Sequence, residues 1–212
     1  MLRGEFPTTH QAIRDLASCD EPSALASLEK AAAGEDQFLR RTAIEAIGRH
    51  PSGRELRSVV LAALTDPSEY VVRTACEVVE QWALGEARDA VVNLLTSASA
   101  STRRSAIRAL HTIAVRADAR TLFHVYKDDV QTEVRREAAW FLRRHVGPED
   151  WRAVFEAFHG DELPRHRQWA CELAAAFAGP DILPALTRLS SDLDGHVRTA
   201  AARAIQQVLR HE

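Results

Sequence analysis

Residues 133–147, EVRREAAWFLRRHVG, place apolar side chains at intervals of three and four residues between charged ones. This spacing is that of an amphipathic α-helix with one buried face. The predicted buried face consists of Val134, Ala138, Phe141 and Leu142. Gly147 and Pro148 predict the end of the helix, because glycine accepts a left-handed backbone and proline cannot extend the helix.

The same pattern occurs in six copies, 31 or 32 residues apart. At the centre of the predicted buried face each copy has an alanine: Ala43, Ala75, Ala106, Ala138, Ala170 and Ala201. With this alanine numbered +4, position 0 is Leu39, Val71, Thr102, Val134, His166 and Val197, and position +8 is Ile47, Val79, Leu110, Leu142, Ala174 and Ile205. Such a sustained register predicts stacked helical hairpins that bury their apolar stripes against one another.

The connection within each hairpin is short, which predicts antiparallel neighbouring helices. The predicted fold class is all-α, an α-α superhelix: a right-handed solenoid of about six hairpins with an N-terminal capping helix. We expect one domain over residues 1–212, in which residues 1–20 form an arm and a capping helix that begins after Thr8 or Thr9. The repeats are expected at approximately 21–50, 51–84, 85–115, 116–147, 148–179 and 180–212.

The second helices of these hairpins carry a recognisable motif. Segments such as LRRTAIEAIG, VVRTACEVV, TRRSAIRAL and VRTAAARAI resemble the V-R-x-x-A-a-x-A-L core of short HEAT-like repeats, the variety named after phycobiliprotein lyases. The acidic turns at Asp66-Pro67, Asp128-Asp129 and Ser191-Asp192 are similar to the D-x-x-x-V-R pattern of that family. The resemblance covers roughly residues 21–210, and it implies the fold without implying one function.

Arginine occupies position +1 in five repeats: Arg40, Arg103, Arg135, Arg167 and Arg198, with Val72 as the exception. The resemblance implies that this arginine bonds the acidic turn residue and the turn of the neighbouring repeat. The result would be a ladder that clamps hairpins together, since a guanidinium group matches a carboxylate with two parallel hydrogen bonds.

A second column of arginines, at position +2, has no such implied partner. It consists of Arg41, Arg73, Arg104 and Arg136. The whole chain has a formal net charge of −3 and a pI near 6.3, which does not favour nucleic acid or an anionic membrane as partner. We nevertheless expect position +2 to face the concave side and to form a basic strip, densest in repeats three and four. The alternative is an ordinary solvated face.

Trp140 and Trp169, at positions +6 and +3 of adjacent second helices, also leave the predicted buried stripe. Tryptophan and arginine are typical anchors of binding hot spots, although large aromatic side chains also pack between repeats. The predicted partner-binding residues are Arg104, Arg108, Arg136, Trp140, Arg143, Arg144 and Trp169.

Signatures of catalysis or metal binding are missing from the sequence. It has no glycine-rich phosphate loop, nucleophile elbow, H-E-x-x-H motif or pair of histidines at i, i+4. We therefore predict no catalytic residue, metal ligand or cofactor. The three distant cysteines, Cys19, Cys76 and Cys171, and the lack of a secretory signal or an apolar run near 20 residues favour the cytoplasm and no membrane partner.

Three functions remain. The first is a non-enzymatic scaffold or adaptor that binds an acidic protein segment on the basic, Trp-containing concave face. The second is DNA binding, or a HEAT-like-repeat alkylpurine DNA glycosylase with Glu137 or Glu172 as its acid, although the W-x-x-x-D spacing of that family is absent. The third, from the resemblance alone, is a bilin lyase or isomerase-like subunit. The oligomeric state stays open.

Overall fold

The computed structural model describes residues 9–210, and its regular secondary structure is helical throughout this range. The α-helices of the described chain are α1 His10–Asp15, α2 Ser23–Ala32, α3 Gln37–Arg49, α4 Arg57–Ala63, α5 Glu69–Trp82, α6 Arg88–Asn93, α7 Ala100–Ile113, α8 Asp118–Asp128, α9 Thr132–His145, α10 Trp151–His159, α11 Pro164–Phe177, α12 Leu183–Leu189 and α13 Gly195–Arg210. Short 3₁₀ segments precede or extend several of them. The all-α prediction is confirmed.

The helices after α1 pair in sequence order into six hairpins, α2–α3 through α12–α13, as the repeat register predicts. The chain forms two compact units. The first unit ends at Ala114 and contains α1 to α7, and the second begins at Val115 and contains α8 to α13. The division falls at the boundary between the third and fourth predicted repeats.

The N-terminal helix packs against the first repeat. The Thr9 hydroxyl accepts a hydrogen bond from the Ala12 N–H at 3.3 Å, which caps α1 as expected, while Thr8 lies outside the described residues. Ile13 is fully buried, and His10 Nδ1 lies 2.8 Å from Thr42 Oγ1 of α3. This helix therefore covers the side of α3 that no preceding hairpin covers.

The alanine column is the centre of the core. All six alanines at position +4 have no exposed surface, and positions 0 and +8 are buried with them except for Leu39 and Ile205, which are partly exposed. A residue without a long side chain allows the second helices of successive repeats to approach closely, as the contacts of α3 with α5 and of α11 with α13 show. The register predicted from sequence is thus the packing register of the protein.

The side chains at position +5 show that stacking of repeats buries additional surface. Ile44, Cys76 and Cys171 are buried where another second helix follows in the same unit, whereas Ala202, at the equivalent position of α13, is exposed. Burial of this column therefore comes from the next repeat rather than from the hairpin that carries it.

The contacts predicted for the arginine ladder are seen at Arg40 and Arg167. Arg40 bonds both carboxylate oxygens of Asp66 at 2.7 and 2.8 Å, and its Nη1 donates to the carbonyl oxygens of Gly34 and Glu35. Arg167 does the same with Asp192 at 2.7 and 2.9 Å. Each of these arginines thus joins the turn of its own hairpin to the turn of the next one, and both pairs are largely buried.

The other residues at position +1 make only part of these contacts in the bonds described below. Arg103, Arg135 and Arg198 donate from Nη1 to backbone carbonyls of the turns in their own hairpins. Val72 cannot do so, and the following turn has Ser97 where the second, fourth, fifth and sixth repeats have aspartate. Ser97 Oγ still accepts the Ser99 N–H at 3.3 Å, so the turn is kept without the ion pair.

None of the helices in residues 9–210 combines the length and apolar character needed to cross a bilayer.

Replacing Asp192 by asparagine should destabilise the protein by about 1.5–3 kcal/mol, the usual contribution of a hydrogen-bonded charged group. Asparagine can still accept the Asp194 N–H, so the substitution removes the charge and keeps the turn. Asp181→Asn is the matched control, because the Arg152–Asp181 pair is exposed and should contribute under about 1 kcal/mol. Urea denaturation measures the free energy of unfolding of both variants. Equal losses of stability would contradict the clamping role of the Arg167–Asp192 pair.

The stability that the Arg167–Asp192 and Arg40–Asp66 pairs contribute should fall at low pH. The hydrogen bonds from Arg167 hold the pKa of Asp192 below its usual range, and Arg40 does the same to the pKa of Asp66. A lowered folded pKa gives stability that is complete above the unfolded carboxyl pKa of about 4 and is lost as the pH falls through the folded value. The stability difference between wild type and Asp192→Asn should therefore shrink towards zero below about pH 4 in the same urea titrations.

Ala138→Asp should destabilise the protein by about 3 kcal/mol or more, because it buries a carboxylate without a partner at a fully enclosed position. Ala202→Asp, in the middle of α13 and exposed, is the control and should change stability by less than about 1 kcal/mol. Circular dichroism melts compare the two; an unchanged melt for Ala138→Asp would show that the alanine register is misplaced.

Candidate binding surface of the second helices

Four arginines of the first unit line one depression, which we call the arginine pocket. Position +2 supplies Arg41, Arg73 and Arg104 from α3, α5 and α7, and Arg108 follows one turn after Arg104. Because the hairpins stack in register, equivalent positions of successive second helices lie side by side. The pocket has a volume of about 320 Å³, and its remaining lining residues are Tyr70, Thr74, Glu77, Ser101 and Ser105.

The arginine pocket is basic, because four arginines and a single acidic side chain, Glu77, line it. Arg108 Nη2 lies 3.4 Å from Glu80, an exposed contact that screens little of its charge. The guanidinium carbon of Arg73 lies 5.1 Å from the centre of the Tyr70 ring, a cation–π contact. The Nε atom of Arg73 is buried and has no hydrogen-bond partner within the described residues. An anion is the ligand that such a group of donors binds.

In the second unit, two tryptophans and two arginines form the tryptophan–arginine cluster: Trp140, Arg143 and Arg144 of α9 and Trp169 of α11. The two indole ring centres lie 5.7 Å apart. The guanidinium carbon of Arg143 lies 5.3 Å from the Trp140 ring centre and 5.5 Å from that of Trp169. Arg144 lies 5.7 Å from the Trp140 ring. On α9 these residues are three and four positions apart, which places them on one helix face.

An acidic side chain fixes Arg143 in this cluster. Arg143 Nε donates to Glu172 Oε2 at 2.6 Å, and Gln168 Nε2 donates to Glu172 Oε1 at 3.2 Å. Glu172 follows Gln168 by one helical turn on α11. The charge of Arg143 is therefore matched inside the protein, and its role here is to hold the two indole rings.

Only one of the two tryptophans leaves the buried stripe as predicted. Trp140 is 36% exposed, whereas Trp169 is 5% exposed. The Trp169 ring stacks on His166 at 5.3 Å and also meets Phe158 at 6.3 Å, so it packs into the hairpin α10–α11. The expectation of an exposed Trp169 is therefore wrong, because its neighbours provide an aromatic layer that the helical period alone does not reveal.

Below Trp169 lies a buried polar cluster in which Asp161 accepts a hydrogen bond from the Tyr126 hydroxyl. His166 Nδ1 lies 3.0 Å from Asp161 Oδ2. Burial would raise the pKa of Asp161, but its contacts with His166, the Tyr126 hydroxyl and the Leu163 N–H outweigh that effect and hold the pKa below its usual range. Burial, helped by the bond to Asp161, raises the pKa of Tyr126. This cluster supports the aromatic layer.

The predicted binding residues thus fall into two groups. Arg104 and Arg108 are exposed in the first unit and line the arginine pocket. In the second unit, the structure brings Trp140, Arg143, Arg144 and Trp169 together, and Arg136 is exposed on the same helix α9.

Arg41 and Arg73 were not among the predicted binding residues, although both share position +2 with Arg104 and Arg136. The signal for them was the column itself. The roles of Tyr126 and Asp161 had no sequence signal, since they lie in different hairpins, 35 positions apart.

The structure also bears on other chemistry. Within residues 9–210, no group of three or more histidine, cysteine, aspartate or glutamate side chains is arranged to hold a metal ion. Cys76 and Cys171 are buried, and burial raises the pKa of each thiol to about 12. A thiol with such a pKa is a poor nucleophile. The side chains gathered on the second helices are suited to binding anions and apolar groups.

The repeated hairpins, the alanine register and the arginine clamps define an α-helical repeat protein. A HEAT-repeat family model matches residues 57–143, and a second HEAT-repeat model matches residues 182–211. Together these matches span more than half of the chain, and the chain belongs to the HEAT-repeat proteins. A comparison with curated proteins finds no match.

Solved structures show the same fold. An archaeal HEAT-like repeat protein from Thermococcus onnurineus NA1 is 12% identical with a TM-score of 0.61, over 97% of this chain and 99% of that one. An engineered protein is 20% identical with a TM-score of 0.55, over 95% and 96%. The complex of CpcE and CpcF of phycocyanin lyase from Nostoc sp. PCC7120 is 18% identical with a TM-score of 0.52, over 96% and 82%. At these identities the likeness concerns the fold alone.

Proposed function

We propose that this HEAT-repeat protein is a non-enzymatic scaffold or adaptor that binds an acidic segment of a protein partner along its second helices. The observation that carries the proposal is the partly exposed Trp140, whose ring centre lies 5.3 Å from the guanidinium carbon of Arg143 and 5.7 Å from that of Arg144. An apolar anchor with the exposed arginines Arg136 and Arg144 on the same helix suits a segment in which acidic residues flank an apolar one.

The cluster is prepared for binding before a partner arrives. Trp169 supports the Trp140 ring, and Glu172 holds Arg143, so little side-chain freedom is lost on binding. Arg136 and Arg144 are exposed and form no ion pair within the described residues, so their charges are available to carboxylates. A rigid aromatic anchor with arginines beside it is the usual composition of a binding hot spot.

The DNA glycosylase alternative has one observation in its favour, since Glu172 lies beside the tryptophan pair. Its two carboxylate oxygens, however, accept hydrogen bonds from Arg143 and Gln168, which suits a positioning role rather than a catalytic one. The bilin lyase reading has the fold of the CpcE–CpcF complex in its favour and no particular residue of this chain. Free cysteines at positions 19, 76 and 171 are compatible with work in the cytoplasm.

The test is fluorescence anisotropy with a labelled peptide of aspartate and glutamate around a central leucine. We expect binding that weakens with salt, and a loss of about tenfold or more in affinity, or about 1.4 kcal/mol, for both Trp140→Ala and Arg136→Glu/Arg144→Glu. Arg120→Glu/Arg152→Glu is the matched control, because it makes the same charge change on exposed arginines of the first helices α8 and α10. Its affinity should stay within about twofold of wild type.

Two outcomes would overturn the proposal. One is no binding of the acidic peptide at low salt, and the other is an equal loss in the control and the second-helix variants. A lysine-rich peptide of the same length and a DNA duplex complete the series. Tight DNA binding without peptide binding would replace the scaffold with the nucleic-acid alternative, whose affinity should fall steeply with salt.

A further inference from the structure

We infer that the arginine pocket of the first unit binds a phosphorylated serine or threonine side chain of the partner segment. The inference rests on the proposed function and adds to it the chemical class of one side chain that is bound. It comes from four features of the pocket: its charge, an unused donor, its polar lining and an exposed aromatic pair beside it.

The charge of the pocket exceeds what one carboxylate would match. Four guanidinium groups line the pocket together with Glu77, and Glu80 lies 3.4 Å from Arg108. Arg41 and Arg73 form no ion pair within the described residues, unlike Arg143 of the second unit, which is paired with Glu172. A phosphate monoester carries a charge between about −1.5 and −2 and three acceptor oxygens, so it can engage several guanidinium groups at once.

The unused donor is the buried Nε atom of Arg73. A buried donor without an acceptor is costly, and native proteins keep few of them. The stack of the Arg73 guanidinium on Tyr70 restricts its movement, so the group is held in place without an anion. The Nε atom itself is enclosed, so a phosphate in the pocket would act on the charge of the Arg73 guanidinium group, which lines the pocket and lacks an anionic partner among the described residues.

The lining selects a small polar group. Its nine residues include no aliphatic side chain, and Ser101 and Ser105 present hydroxyls one helical turn apart on α7. A hydroxyl can donate to a phosphate oxygen. At about 320 Å³ the pocket is at the small end of ligand sites, which are mostly apolar, and it suits one phosphoryl group better than a large apolar side chain.

The last feature points to a peptide rather than a free anion. Tyr70 lines the pocket and, with Phe38 of the preceding second helix, forms an exposed aromatic pair whose ring centres are 6.3 Å apart. These are two of the large apolar side chains that the described chain leaves exposed. They can contact an apolar residue next to the phosphorylated one, as aromatic side chains do in protein interfaces.

The experiment compares three labelled peptides that share acidic flanks and differ at one central residue: serine, glutamate or phosphoserine. We expect the phosphoserine peptide to bind about tenfold more tightly than the serine peptide, and the glutamate peptide to fall between them. Arg41→Gln and Arg73→Gln should each remove most of this preference, which means that they weaken binding of the phosphoserine peptide more than binding of the serine peptide. Arg41 is exposed, so its variant stays informative if Arg73→Gln proves unstable.

Arg14→Gln and Arg57→Gln, exposed arginines of α1 and the start of α4, are the controls and should keep the preference. Equal binding of the three peptides would overturn the pocket inference and leave the proposed function standing. Binding of none of them would overturn both. Inorganic phosphate should compete only at millimolar concentration. If inorganic phosphate competes as strongly as the phosphoserine peptide does, the pocket is a site for the free anion. If duplex DNA binds more tightly than the phosphoserine peptide and this binding depends on Arg41, the pocket is a nucleic-acid site.

Discussion

The close approach of successive second helices is the constraint on which this protein depends. It requires a small residue at one position of every repeat, and alanine fills that position six times without any exposed surface. A larger side chain there would separate the helices and open the core, while a smaller one would cost helix stability. The arginine–aspartate pairs, the arginine pocket and the tryptophan–arginine cluster all depend on the short distance between second helices that these alanines allow.

Stacking converts distance along the chain into proximity in space. Arg41, Arg73 and Arg104 are about 31 residues apart in sequence, yet they line one pocket because they occupy one register position. The same rule places Trp140 against Trp169, 29 residues later and three register positions earlier. A repeat protein can therefore build a site by substituting a single position in neighbouring copies, without changing the helices that carry it.

The features that could be predicted from the sequence are those that recur at the same position in every repeat. The helix pairing and the alanine core followed from the register, since periodic positions share one environment, and the clamp to Asp66 was implied by the resemblance to HEAT-like repeats. The burial of Trp169 did not follow from the register, because it depends on Phe158 and His166, whose rings are particular to one hairpin. The pairing of Arg143 with Glu172 was not predicted either, because the repeat register places two side chains near each other but does not determine their rotamers.

Val72 has a consequence for how the first unit responds to acid. The contact between the first and second repeats relies on the Arg40–Asp66 pair, but the contact between the second and third has Val72 and Ser97 in the corresponding places. Protonation of aspartate removes the largely buried ion pair of the first contact, whereas the described turns of the second contact contain no such pair and its Arg108–Glu80 pair is exposed and contributes little. Acid should therefore loosen the unit unevenly: the N-terminal hairpin would separate first, and the apolar contact behind it would hold.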